Sequence, residues 1–220
     1  MESESQKQIE NILKSSTCPD SNHDAWVKSQ MDDRENSQRN AHVAQLLQNA
    51  HIPKRYLAPA RRDNKAWTSK LDQLQAKIGT GMLIGLLGTR GEGKTMLAIE
   101  LIKAACQSGK SGIYVTAMEV FMAIKAGYNT GTDEGHVLMP FKIAAVLVID
   151  EAQERGATPW EDRLLTHLVD NRYANMRDTI IVSNQKPADF GASMGSSIMS
   201  RMQETGGIVA CDWPSFRVSQ

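Results

Sequence analysis

The chain has 220 residues, a length that suits one α/β domain with a small appendage. Its 25 basic side chains equal its 25 acidic ones, which argues against general binding of polyanions and leaves only local patches for nucleic acid. No apolar run approaches the roughly 18 residues of a membrane helix. The first residues lack the pattern of a secretory signal, and the three cysteines are widely spaced. We therefore expect a cytoplasmic protein without a disulfide framework and without a membrane partner.

The N-terminal part of the sequence is polar and slightly acidic. Residues 1–50 carry five basic and eight acidic side chains and predict two short helices, near 4–15 and 36–49. Such a segment cannot bury much apolar surface by itself. We delimit it as residues 1–45 and leave two interpretations open, a small helical arm that becomes ordered on a partner and a flexible tail.

Residues 46–76 are predicted to be a basic connector. Basic side chains outnumber acidic ones there, and two prolines, Pro53 and Pro59, interrupt any long helix. From residue 77 to residue 220 the sequence changes to short apolar runs that alternate with helical patterns.

The alternating pattern predicts a parallel sheet with helices on both of its faces. The predicted strands are 82–87, 113–116, 143–149, 179–183 and 208–211, and the predicted helices are 94–108, 117–126, 160–176 and a short one around 198–202. The strands are almost wholly apolar, as expected when a sheet is covered on both sides. The intervening segment 128–142 is short and glycine-rich.

A glycine-rich loop follows the first of these strands and precedes a helix. Residues 88–95 fit the pattern GxxxxGK[ST] in the strand and helix setting that this pattern requires. Glycines let the backbone curl so that its N–H groups and the helix N-terminus surround a phosphate. Lys94 would reach the β and γ oxygens of ATP, and the Thr95 hydroxyl would bind Mg²⁺. The residues expected to contact nucleotide are Gly88, Thr89, Arg90, Gly91, Glu92, Gly93, Lys94, Thr95 and Met96.

Two carboxylates end the third predicted strand. Asp150 and Glu151 follow the apolar run 146–149. In a parallel strand beside the one before the loop, they would lie near the phosphates. Asp150 would then hold Mg²⁺ through its water shell, and Glu151 would orient and polarise the attacking water. The sequence therefore predicts ATP hydrolysis, with Glu151 and Lys94 as catalytic residues.

Three further residues are candidates for the same site. Asn184 ends the fourth predicted strand, where its side chain either contacts the γ-phosphate or the attacking water, or makes a turn. Arg201 lies in the short helix and is either an arginine finger toward a neighbouring subunit or a solvated helix residue. Arg217 lies near the end of the chain and either contacts phosphate in its own subunit or is a mobile charge.

This combination resembles the DnaC/IstB family of AAA+ ATPases over residues 46–217. The resemblance is carried in order by Ile52-Pro-Lys-Arg-Tyr56, the phosphate loop, residues 109–116, Val148-Ile-Asp-Glu151, Asp170-Asn-Arg-Tyr173, residues 179–184, Ser200-Arg-Met202 and Trp213-Pro-Ser-Phe-Arg217. The last element looks especially like the DnaC branch. The sequence departs from the family pattern after Glu151, where Ala-Gln-Glu-Arg replaces a glycine-containing turn, and in its first 45 residues.

The resemblance implies an AAA+ domain with a five-stranded parallel sheet flanked by helices, a small helical N-terminal arm and no sizeable C-terminal lid. It implies an ATP- and Mg²⁺-dependent helicase loader of a bacterial or phage-infected cell. Subunits would assemble as a spiral or ring, with Arg201 acting in trans and Arg217 as a second sensor. The arm would bind a DnaB-type replicative helicase and the AAA+ domain single-stranded DNA. The alternative is an IstB-like transposition helper that acts on a complex of transposase and DNA.

Contact with single-stranded DNA requires basic groups and stacking aromatic rings. Lys125 and Tyr128 follow the second predicted strand, in the region where related initiator ATPases line a central channel. Each also has an interpretation as an ordinary surface residue.

Overall fold

The computed structural model describes residues 23–60, 63–156 and 158–216. By its internal contacts the chain divides into two units, one up to His42 and one from Val43 onward. Helix α1 (His23–Asn49) has all of its described residues before Val43 exposed or half-buried. The helix predicted near 36–49 is therefore the end of a longer one, and the helix predicted near 4–15 lies outside the described residues. No described helix is long and apolar enough to span a membrane.

The second unit alternates strands and helices, as predicted. Its strands are β1 (Leu83–Leu87), β2 (Gly112–Thr116), β3 (Val146–Asp150), β4 (Asp178–Ser183) and β5 (Gly207–Ala210). Its helices are α2 (Lys65–Gln75), α3 (Lys94–Gln107), α4 (Ala117–Thr130), α5 (Glu134–Ile143), α6 (Pro159–Ala174) and α7 (Pro187–Thr205). All strand pairs are parallel and the order across the sheet is β2-β3-β4-β1-β5. The five-stranded parallel sheet flanked by helices is thus confirmed.

Three helices differ from the prediction. Helix α2 lies in the predicted basic connector, where no helix was expected. Helix α5 occupies most of the glycine-rich segment 128–142. Asp133 caps the start of this helix by accepting a hydrogen bond from the His136 N–H, 3.3 Å away. The third strand consequently begins at Val146 rather than at residue 143. The short helix predicted around 198–202 is the end of α7, which begins at Pro187 and bends at Gly195 (φ 79°).

Two hydrophobic cores cover the two faces of the sheet. Alternate residues of a strand point to opposite faces, so Leu147 and Ile149 enter the core beneath α4 to α7. Val146 and Val148 enter the other core, beneath α2 and α3. Because both faces are buried, the strands are apolar at nearly every position.

The basic segment before β1 contributes to the second core. Ala50, Trp67, Leu71 and Leu74 are almost completely buried there. The Tyr114 N–H in the edge strand β2 donates to the Ala50 carbonyl, 2.9 Å away. The apolar residues of α2 recur at helical spacing. The basic composition of the segment concealed this helical pattern.

Candidate nucleotide-binding site

The loop between β1 and α3 encloses a positive charge. Lys94 begins α3 after Gly93, whose φ of 74° lies in the left-handed region that favours glycine. Lys94 is 5% exposed as a residue, and its amine donates to the carbonyls of Gly88 and Thr89, at 2.9 and 2.6 Å. The Lys94 amine therefore lies within the loop, where it can reach a bound phosphate.

Asp150, at the end of β3, is oriented by three donors. Its Oδ2 atom accepts hydrogen bonds from the Thr95 hydroxyl (2.8 Å) and the Tyr114 hydroxyl (2.9 Å). Its Oδ1 atom accepts from the Glu151 N–H, 2.7 Å away. The carboxylate is buried, and these bonds compensate for its removal from water. Asp150 and Thr95, which are 55 positions apart, therefore present their oxygens side by side.

Sequence reasoning missed Tyr114. Burial, and then the charge of Asp150, raise the pKa of the Tyr114 hydroxyl, so the group stays a neutral donor. In the sequence Tyr114 looks like any strand aromatic. Only the parallel pairing of β2 with β3 brings it to Asp150.

Glu151 adopts a left-handed backbone conformation. Its φ and ψ are 53° and 40°, in the left-handed region, and the 3-10 turn Ala152–Glu154 follows. A non-glycine residue in this region is strained, and such strain concentrates at functional sites. Partial desolvation, and then the charge of Asp150, raise the pKa of the Glu151 carboxyl.

The end of β4 meets the turn after Glu151. The Asn184 N–H donates to Oε1 of Gln153, 3.1 Å away. The Asn184 side chain is exposed. Gln153 was not a candidate from sequence, since it lies in the turn that departs from the family pattern. It links that turn to the end of β4.

These elements surround one cavity with a volume of about 360 Å³, within the range of small-molecule sites. Its lining comprises Arg55, Tyr56, Arg90, Gly91, Gly93, Lys94, Thr95, Met96, Tyr114, Asp150, Glu151, Gln153, Val182, Ser183, Asn184 and Phe216. Most of the predicted nucleotide contacts therefore lie together, and Gly88, Thr89 and Glu92 belong to the same loop. Arg55, Tyr56 and Phe216 were not predicted to line it.

The chain matches the family described as IstB-like ATP binding protein over residues 31–219. It belongs to this family. It is also 28% identical over 132 residues to the replicative helicase loader DnaC of Escherichia coli K12, which covers 59% of this chain and 54% of DnaC. The chain thus spans about half the length of that curated relative.

Solved structures establish the fold of this IstB-like protein. A crystal structure of the DnaC helicase loader superposes with a TM-score of 0.61 at 22% identity, covering 72% of this chain and 99% of that one. The replication initiator DnaA bound to AMPPCP and single-stranded DNA superposes with a TM-score of 0.57 at 20% identity, covering 74% and 48%. The family match identifies the IstB-like chain as an ATP-binding protein of the AAA+ ATPase type, the solved structures show the same fold, and the predicted family is confirmed.

Arg201 of the IstB-like chain does not line the cavity. Its Nε atom lies 3.2 Å from Asp170 Oδ1, its guanidinium lies 5.4 Å from the centre of the Tyr173 ring, and its Nη1 donates to the Ser197 carbonyl at 3.0 Å. Asp170 and Tyr173 belong to the Asp-Asn-Arg-Tyr element of the resemblance, so two of its motifs meet here. Arg217 lies outside the described residues.

The two candidates for DNA contact lie beside Trp160, at the start of α6. The Lys125 amine is 5.3 Å from the centre of the Trp160 ring, and the Tyr128 and Trp160 rings are 6.3 Å apart. Tyr128 is half exposed and its hydroxyl donates to Glu134. The structure thus groups a cation with two aromatic rings, one of which was not predicted.

Proposed function

We propose that this chain is an ATP-dependent helicase loader that binds a DnaB-type replicative helicase and delivers it to single-stranded DNA. The observation that carries the proposal is its similarity to the replicative helicase loader DnaC, together with the matching fold. The cavity supplies what a nucleotide-dependent assembly protein needs, a phosphate loop joined to an acidic strand.

The loop and the acidic strand suit ATP with Mg²⁺. The backbone N–H groups of the loop and the Lys94 amine would bind the β- and γ-phosphates. The Thr95 hydroxyl and the Asp150 carboxylate form an oxygen pair at 2.8 Å, the donor type that Mg²⁺ prefers. Mg²⁺ would neutralise charge on the phosphates there.

Glu151 and Asn184 are assigned to the attacking water. Glu151 would accept a hydrogen bond from that water and polarise it, and its raised pKa makes it a better proton acceptor than an ordinary carboxylate. Asn184 would orient the water or the γ-phosphate. Gln153 would hold the Asn184 backbone in place.

Arg201 is assigned to the cavity of a neighbouring copy. It does not line the cavity of its own chain, and Asp170 and Tyr173 hold its side chain in one orientation. A spiral or ring would let each copy complete the site of the next. Arg217 is assigned as a second sensor in its own subunit.

Single-stranded DNA is assigned to Lys125, Tyr128 and Trp160. An aromatic ring beside a cation offers stacking for bases and charge for phosphates without sequence preference.

Binding of the helicase is assigned to the N-terminal arm, whose helix α1 exposes Trp26 (51%) and Met31 (58%). Large exposed apolar side chains on an otherwise polar helix are typical of a partner-binding surface.

A second candidate is an IstB-like transposition helper. The family description favours it, since the matching model is named for IstB. In that case the same ATPase would act on a complex of transposase and duplex DNA.

The test is complex formation with a purified hexameric DnaB-type helicase from the native host, measured by size-exclusion chromatography with light scattering, with and without ATP. We expect a stable complex with the full chain and its loss in a Trp26→Ser/Met31→Ser variant. Lys77→Gln, an exposed change in the second unit, serves as the control and should still bind. No complex with any helicase of the host would contradict the loader, and capture of a transposase would support the alternative.

A further inference from the structure

Three consecutive carbonyls of the phosphate loop are bound by donors from outside it. The Gly91 carbonyl accepts from the Phe216 N–H at 2.9 Å, the Glu92 carbonyl from the Trp213 indole N–H, and the Gly93 carbonyl from the Trp67 indole N–H at 3.2 Å. We call Trp67, Trp213 and Phe216 the loop clamp.

The clamp has a direct consequence for the N–H groups of the loop. A phosphate cradle needs consecutive N–H groups that point inward, and the carbonyls must then point away from the ligand. The donors that bind these carbonyls are the two tryptophan indoles and the Phe216 backbone N–H. They hold the carbonyls pointing away from the ligand. A glycine-rich loop has many accessible conformations, so it loses more entropy than other segments when it is ordered.

The segment that carries Trp213 and Phe216 is held by contacts of Cys211, Trp213 and Phe216. The Cys211 N–H donates to the Leu87 carbonyl at 2.7 Å, which continues the pairing of β5 with β1 up to the loop. Trp213 is 6% exposed. The Phe216 ring meets Trp67 edge-on, with centroids 5.8 Å apart, and fills the space that a side chain at Gly93 would need.

We propose that the segment Cys211–Phe216 is a positioning element for nucleotide binding, with Trp213 and Phe216 as positioning residues that hold the phosphate loop open for ATP. Because docking of the segment and binding of phosphate require the same loop conformation, each stabilises the other. The proposal rests on the assignment of the loop as the nucleotide site.

The experiment compares wild type with Trp213→Phe, Phe216→Leu and Asp212→Asn. Trp213→Phe keeps an aromatic ring but removes the indole donor, and Asp212 is an exposed neighbour that serves as the matched control. ATP affinity is measured by calorimetry, turnover at saturating ATP by phosphate release, and folding by thermal unfolding. Amide exchange of residues 211–216 is followed with and without ADP.

We expect Trp213→Phe to weaken ATP affinity roughly 3- to 10-fold, as for loss of one hydrogen bond, with turnover at saturation within about twofold. Phe216→Leu should also weaken ATP affinity, and Asp212→Asn should leave it unchanged. ADP should slow amide exchange at Cys211 and Phe216 in the wild type, which a merely structural segment would not show.

Wild-type affinity in folded Trp213→Phe, or exchange in this segment that ADP leaves unchanged, would overturn the proposal. Lys94→Ala separates this failure from that of the site itself. If Lys94→Ala binds ATP like the wild type, the loop is not the nucleotide site and the proposed role of the clamp is excluded with it.

Discussion

At the scale of single residues, Lys94 and Glu151 have different predicted roles, the first in binding ATP and the second in hydrolysing it. Lys94 is the buried cation of the loop, whereas Glu151 stands at the end of the acidic strand with a raised pKa. Lys94 should therefore act on phosphate in every bound state, and Glu151 only when water attacks.

Lys94→Ala and Glu151→Gln should separate these two roles. Lys94→Ala should lower ATP affinity roughly 100-fold or more, because charge-assisted bonds to phosphate are lost. Glu151→Gln should bind ATP within about threefold of the wild type and lower turnover roughly 100-fold or more. Calorimetry and phosphate release measure the two effects. Normal turnover in Glu151→Gln would remove that residue from the chemistry.

Arg172, in the Asp-Asn-Arg-Tyr element, has a structural role. It is completely buried, and its guanidinium donates to the Thr179 hydroxyl (2.9 Å) and to the carbonyls of Phe141 (2.6 Å) and Ala144 (2.8 Å). It also donates to the carbonyl of Asp178. Burial, and then the positive charge of Arg177, lower its pKa below the ordinary value. One side chain thus ties the end of α5 to the start of β4.

We expect Arg172→Met to lower the free energy of unfolding by roughly 3 kcal/mol or more, since the buried carbonyls of Ala144 and Asp178 lose a charged donor. Urea denaturation measures the change. Arg163→Met, an exposed change in the same helix, should stay within about 0.5 kcal/mol of the wild type. Equal stability of the two variants would show that water replaces the guanidinium.

At the scale of elements, two capped helices bring Lys125, Tyr128 and Trp160 together into one basic aromatic surface. Thr116 and Glu119 form a capping box at the start of α4, and Thr158 and Glu161 form one at the start of α6. Lys125 lies three positions before Tyr128, so both are on one face of α4, where they meet Trp160.

Lys125→Gln should weaken binding of single-stranded DNA and lower the slope of log affinity against log salt by about 0.7, as for one lost phosphate contact. Fluorescence anisotropy with an oligothymidine over a range of salt concentrations measures both. Lys77→Gln, on the groove beside the opposite edge strand β5, is the matched control. An unchanged salt slope in Lys125→Gln would place the DNA elsewhere.

At the scale of the whole molecule, Arg55 and Arg90 line the cavity of one chain, and the predicted arginine finger is not among the lining residues. Arg201 lies on α7 against Asp170 and Tyr173 and does not line the cavity. If it completes the site of a neighbouring copy, ATP turnover becomes a property of the assembly rather than of one chain.

Arg201→Ala should keep ATP affinity but lower turnover roughly 10³-fold, the scale for loss of an arginine finger. Mixing it with Glu151→Gln, which is also inactive, should restore part of the turnover. In mixed assemblies an intact Arg201 from one variant meets an intact Glu151 from the other. Phosphate release from the mixture measures this. Full activity of Arg201→Ala alone would exclude the trans role.

Local patterns in the sequence were sufficient for much of the architecture. The glycine-rich loop, the apolar strands and the pair Asp150-Glu151 are each contiguous, and contiguous residues carry their own conformational preferences. That is why the order of strands and helices, the parallel sheet and the phosphate loop followed from the chain alone. Helices α2 and α5 did not, because α2 lies in a basic sequence that was interpreted as a connector, and Gly135 and Pro140 obscure the helical pattern of α5.

Contacts between distant positions were decided only by the tertiary structure. Tyr114 reaches Asp150 across the pairing of β2 with β3, and Trp213 reaches the Glu92 carbonyl, 121 positions away. Tyr114 looks like an ordinary strand aromatic, and the resemblance marks Trp213 without indicating its contact, since nothing local records which carboxylate or carbonyl they will meet. Burial leaves each polar group dependent on a nearby partner, and folding alone determines which residue that partner is.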